Sequence, residues 1–223
     1  MKGRSNPAGP GSSERARAIL PVPPRVPPMV LPIYAYGQPV LRQRADAVEA
    51  DSPELQALID DMIETMGVAH GAGLAAPQVG RPPRLFVADL TSYADDLAED
   101  HDGVVPEYAT APLVFINPEL SVEEGAPEID IEEGCLSIPD LRETVWRPEA
   151  LRIRFLDRHF QPHEWAVEGP LARVIQHEAD HLDGVLYLDH LSPLRRKLLG
   201  RRLKAIARGD CEAEYPMAFR EGA

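Results

Sequence analysis

The chain has 223 residues, enough for one ordinary domain with a full hydrophobic core. Apolar residues make up 44% and charged residues 26%, which excludes a disordered or bilayer-spanning chain. A formal charge of −13 excludes attraction to DNA or RNA through bulk charge and leaves only local contacts with phosphate.

Residues 1–30 are rich in Gly, Ser, Pro and Ala, cannot bury enough apolar surface to offset ordering entropy, and are expected to be a flexible extension. Prolines at 21, 23, 24, 27, 28 and 32 interrupt the apolar stretch 19–35, so it forms neither a spanning helix nor a signal-peptide core. The five Lys/Arg and one Glu of residues 1–30 admit an organellar transit peptide, which the prolines and the few serines disfavour.

Ser52 and Pro53 supply a helix N-cap and a first-turn proline, and Leu55, Leu58, Ile59, Met62, Ile63 and Met66 recur at helical spacing up to Gly67. Residues 71–80 read as a glycine-punctuated loop leading into a strand at 85–88. The acidic stretch 89–110 reads as a surface insertion without chemistry. Strands are expected at 113–116, 129–131, 143–146, 151–155 and 164–167, with Asn117-Pro118 and Arg147-Pro148 as turns. A helix at 171–182 stops at Gly184, and a last helix opens at Ser192-Pro193 and reaches Arg208 before Gly209. The order implies an α+β fold.

His177-Glu178-Ala179-Asp180-His181 lies inside the expected helix 171–182, where residues four apart share a face and two imidazoles can hold one metal ion. Glu178 is then placed to accept a proton from a cation-activated water. A third ligand is needed. A metzincin protease would have a His where Tyr187 stands, and the acids Glu212 and Glu214 that a gluzincin would need lie beyond the basic helix. Upstream, Glu133-Gly134-Cys135-Leu136-Ser137 offers a thiolate after a glycine, which makes Cys135 the candidate third ligand. With Cys211 as the only other cysteine, a disulfide framework is not expected, and a reducing, cytoplasmic compartment is.

Gly-Ala-Gly-Leu-Ala-Ala-Pro-Gln at 71–78, Glu-Gly-Cys-Leu-Ser at 133–137 and His-Glu-Ala-Asp-His at 177–181 together resemble the three signature motifs of the peptide deformylases, and Gln38-Pro39-Val40-Leu41-Arg42 resembles that family's N-terminal segment. The resemblance runs from about Leu31 to Pro193. It implies antiparallel and mixed sheets packed around a central metal-binding helix, with a catalytic domain at 31–191 and a basic C-terminal helix and tail at 192–223. It further implies metal ligation by Cys135, His177 and His181, with Glu178 as base and then acid. Gln78 and the Leu136 N–H are the implied donors to the formyl oxygen. An extended peptide is expected between Gly71, Ala72 and Gly73 on one side and Ile131, Glu133 and Gly134 on the other, with Arg142 helping to hold its backbone.

Spacing alone puts Arg173 on the metal-facing side of its helix, where its stem can line a methionine pocket while its charge reaches solvent. Asp180 is a candidate to orient a ligand imidazole. The implied reaction is removal of formyl from N-formylmethionyl peptides. Fe²⁺ is the expected ion, with Zn²⁺, Ni²⁺ or Co²⁺ able to substitute. The basic last helix, with Leu194, Leu198, Leu203 and Ile206 as its apolar face, suggests a ribosome contact. Two other classes stay in view. A metallopeptidase is disfavoured by the cysteine ligand, and an inactive peptide-binding relative by retention of Glu178 and Gln78.

Overall fold

The computed structural model describes residues 27–100 and 102–220, so most of the expected flexible extension lies outside the described residues. In chain order the elements are β1 (Ile33–Tyr34), α1 (Pro53–Val68), β2 (Gly73–Ala75), β3 (Leu85–Ala88), α2 (Ala94–Asp100), β4 (Leu113–Ser121), β5 (Glu128–Cys135), β6 (Ile138–Pro148), β7 (Ala150–Leu156), β8 (Pro162–Glu168), α3 (Gly169–Leu182), α4 (Pro193–Ala207) and β9 (Met217–Ala218). Strands β2-β3-β4-β7-β8 form an antiparallel sheet, β5-β6 an antiparallel ribbon, and β1-β9 a parallel pair. The fold is α+β.

Helix α1 begins where the Ser52 hydroxyl accepts from the Leu55 N–H at 3.1 Å. Its apolar face, Leu55, Ile59, Met62 and Met66, covers one side of the five-stranded sheet together with Leu85, Val87, Val114 and Ile116. The opposite side carries Phe86, Ala88 and Phe115 against Leu171, Ala172, Ile175, Ala179 and Leu182 of α3. Strand β3 is therefore apolar at every position because alternate residues face two different helices. Gly184, in a left-handed conformation (φ 73°), follows the cap at Asp183 and stops α3.

Four expectations change. Asn117-Pro118 is a bulge inside β4, not a turn: Asn117 has φ 50°, and its side-chain amide bonds both the N–H and the carbonyl of Val48. Arg147-Pro148 likewise belongs to the end of β6, where a strand tolerates proline. The 71–80 loop contains β2, paired to β3. The acidic 89–110 stretch is not only surface, because Leu90, Leu97 and Ala109 are buried in the cluster that holds Phe115. Among the described residues, no helix is long and apolar enough to cross a membrane.

Candidate active site

Three elements bring the motif residues together. Cys135 ends β5, Gln78 lies in the single helical turn after β2, and His177, Glu178 and His181 lie on α3. One ligand atom from each of Cys135, His177 and His181 falls within 4.8 Å of the other two, so the three could hold one metal ion. Cys135 Sγ is 3.2 Å from His181 Nε2, and the two imidazoles lie with centroids 5.1 Å apart. A thiolate and two imidazoles suit a borderline-soft divalent cation, and three protein ligands would leave room on it for water or substrate.

The unused nitrogens differ. His177 Nδ1 meets Glu133 Oε2 at 2.9 Å, which sets the ring's tautomer and leaves its other nitrogen free for a ligand bond. His181 Nδ1 is buried without a hydrogen-bond partner among the described residues. The second such atom is Glu178 Oε2. Burial pushes the Glu178 carboxyl up to about 7, opposed by the charge of His177. A carboxyl poised there can both take and return a proton near neutral pH. Glycine is required at 73 because a Cβ would sit 2.5 Å from Glu178 Oε1.

Glu133, expected to meet the peptide through its main chain, has a side chain that is buried and points to the protein interior. Arg147 Nε donates to its Oε1 at 2.7 Å and Nη2 to its Oε2 at 3.0 Å, while Arg173 Nη1 donates to Oε1 at 2.8 Å. Burial alone would raise the Glu133 carboxyl, but hydrogen bonds from His177 and Arg147 outweigh it and hold it well below the usual range.

The expectation for Arg173 is corrected. Its charge does not reach solvent, since its guanidinium is tied to Glu133 and to the carbonyls of Val145 and Ile129. A strand offers its inward carbonyls to α3, and an arginine one turn before His177 satisfies them. Asp180 binds Arg147 and His190 rather than a ligand imidazole, and that orienting task falls to Glu133.

Gln78 accepts from the Ala75 N–H at 2.7 Å, which aims its amide nitrogen at Ser137 Oγ (3.3 Å) and Cys135 Sγ (3.5 Å). Leu136 packs on Gly71, where a Cβ would meet Leu136 Cδ1 at 2.7 Å. The Ala72 carbonyl accepts from the Asp89 N–H at 2.9 Å, extending the β2-β3 pairing. Among the described strands, β2 and β5 are each paired along one edge only, and Ile131 and Arg142 are exposed on the ribbon.

Sequence reasoning missed Arg147, Ser137 and Tyr187. Tyr187 lies nearly parallel to His177, with centroids 6.0 Å apart, and its hydroxyl donates to the Leu141 carbonyl. The glycine-flanked motif contained Ser137, but no local signal pairs Arg147 with a residue fourteen positions upstream.

The family model for polypeptide deformylase matches residues 30–197. A peptide deformylase of Salinibacter ruber is 52% identical over 193 residues, covering 86% of this chain and 96% of that protein. One of Cytophaga hutchinsonii is 47% identical over 191 residues, covering 86% and 98%. The crystal structure of a Legionella pneumophila peptide deformylase superposes with a TM-score of 0.68 at 38% identity, covering 81% of this chain and 97% of that one. The Synechococcus elongatus enzyme in complex with actinonin gives 0.66 at 35% identity, covering 84% and 93%. With motifs, site geometry, fold and sequence in agreement, this chain belongs to the polypeptide deformylase family, whose members are metal-dependent.

Proposed function

We infer that this protein removes the formyl group from N-formylmethionyl peptides, releasing formate. The observation that carries the reading is Glu178: a buried carboxylate oxygen without a partner among the described residues, next in sequence to one of three side chains that could hold a metal. Cys135, His177 and His181 are the proposed ligands. When bound, the cation supplies the Lewis acidity that makes a water molecule nucleophilic near neutral pH.

Glu178 takes the proton of that water as its oxygen adds to the formyl carbon. As the C–N bond breaks, Glu178 returns the proton to the departing amine. The Gln78 amide and the Leu136 N–H donate to the formyl oxygen as it gains charge. The open edges of β2 and β5 pair with the peptide main chain through Gly71, Ala72, Gly73, Ile131, Glu133 and Gly134, with Arg142 at the rim. Glu133 and Arg173 act behind the site, by holding His177 and joining α3 to the β5-β6 ribbon.

Fe²⁺ is the proposed native ion, with Zn²⁺, Ni²⁺ or Co²⁺ able to replace it, because a Cys/His/His set accepts all four. The cytoplasm is the proposed compartment, where a ligand thiolate stays reduced. A ribosome contact is proposed for α4. Leu203 and Ile206 are buried, but Leu194 and Leu198 are exposed, which corrects the four-residue apolar face and leaves two leucines beside Lys197 and Arg201. Salt-dependent cosedimentation with ribosomes, weakened in Lys197→Glu/Arg201→Glu, is the expected result, and equal recovery would remove the contact.

The activity is tested by incubating Fe²⁺-loaded protein with formyl-Met-Ala-Ser and, separately, with acetyl-Met-Ala-Ser. Release of formate without release of acetate is expected. No formate from metal-loaded protein would refute the assignment.

A further inference from the structure

After α4 the chain turns at Gly209 (φ 83°) and comes back across the domain. It pairs in parallel with β1: the Ile33 N–H donates to the Pro216 carbonyl at 2.8 Å and the Ala35 N–H to the Ala218 carbonyl at 2.9 Å. Just before this pairing, the Tyr215 hydroxyl donates to the Leu136 carbonyl at 2.8 Å. The Tyr215 ring packs in the apolar cluster that holds Leu136, Met62 and Met66.

Leu136 and Ser137 are the two residues between paired Cys135 and Ile138, at a point where the β5-β6 register shifts. A short turn at a register shift has few ladder bonds of its own, so contacts from elsewhere decide its direction. Those contacts come from four residues in three segments. The Leu136 side chain rests on Gly71, its carbonyl takes the Tyr215 hydroxyl, the Ser137 carbonyl takes the Tyr36 N–H at 2.8 Å, and the Ser137 hydroxyl takes the Gln78 amide. Holding its side chain and carbonyl fixes the Leu136 Cα on one side of the peptide plane that carries the Leu136 N–H, and Cys135, paired with Ile138 and set against His181, fixes the other side.

We propose that Tyr215 is a positioning residue for deformylation, holding the Leu136 carbonyl so that the Leu136 N–H points at the formyl oxygen. The proposal rests on the reading of that N–H as a donor to the oxyanion. An oxyanion donor contributes most when it is already aimed before charge develops, and hydrogen bonds weaken steeply once misaligned. The C-terminal segment, far from the metal ligands in sequence, thereby becomes part of the active-site frame.

Tyr215→Phe removes the hydroxyl and keeps the ring in its apolar seat. With Fe²⁺-loaded protein and formyl-Met-Ala-Ser, kcat is expected to fall about 10-fold, the effect of weakening one hydrogen bond in the transition state, while KM stays within about 2-fold. Iron content and Tm should match the unsubstituted protein, and the Leu136 amide resonance should shift in ¹⁵N-labelled protein. Unchanged kcat would overturn the proposal, as would a loss of kcat that tracks a loss of Tm or iron. Absence of formate release by the unsubstituted protein would instead overturn the deformylase reading itself.

Discussion

Helices α3 and α4 have similar lengths, 14 and 15 residues, and both are rich in charged side chains, yet their charges live in different media. On α3, Arg173, His177, Glu178 and His181 are all buried. On α4, Arg195, Arg196, Lys197, Arg201, Arg202 and Lys204, with Arg208 at its C-cap, are all exposed. Burial strips water from the α3 groups, so each must find a protein partner, a metal or a shifted protonation state. Water serves most of the α4 groups: the pairs of Arg196 with Asp189 and of Arg202 with Asp140 lie at the surface and contribute little, and only Arg195 reaches a buried carboxylate, that of Glu143. Chemistry therefore belongs to α3, and α4 is left free to meet a partner.

Substitutions on and behind α3 should be costly in proportion to what they leave uncompensated. His181→Ala takes away one of three ligand candidates, and loss of stoichiometric metal binding together with loss of turnover is expected by metal analysis and formate assay. Retained metal and activity would move the site elsewhere. Glu133→Ala strands Arg147 and Arg173 without their shared carboxylate and should cost about 3–5 kcal/mol in denaturant unfolding. A loss under 1 kcal/mol would mean that water or a rearranged Asp180 takes over.

Gln78→Ala removes a proposed donor to the formyl oxygen, and kcat should fall by roughly two to three decades, about 3 kcal/mol of barrier, with metal retained. Turnover near the unsubstituted value would withdraw that role. At the far end of the scale, Arg201→Ala on α4 should change stability by less than about 0.5 kcal/mol and leave kcat on short peptides alone. A large effect there would erase the contrast between the two helices.

Local signals made much of this legible. Ser52 and Ser192 each cap the helix that their Ser-Pro pair announced, Gly184 ends α3 in the conformation that glycine permits, and the three motifs meet in one place. What stayed hidden depends on long-range geometry. Two-residue strands such as β1 and β9 have no periodicity to read, so the return of the C-terminal segment carries no sequence signal. Helical spacing placed Arg173 on the face of His177 but could not say that Glu133 and two β-ribbon carbonyls wait there. Leu194 and Leu198 are one turn apart yet face solvent, because they lie on the side of the helix opposite Leu199, Leu203 and Ile206, which pack inward.

Deformylation by this chain depends most directly on Glu178, the buried carboxylate proposed to move the proton. Glu178→Gln keeps the shape of the side chain and removes its basicity, so formate release from formyl-Met-Ala-Ser should fall by about three decades. Metal content measured on the same sample should be unchanged. A variant that keeps its metal and still releases formate at more than about a tenth of the normal rate would contradict the account, because a lost general base should cost at least a hundredfold.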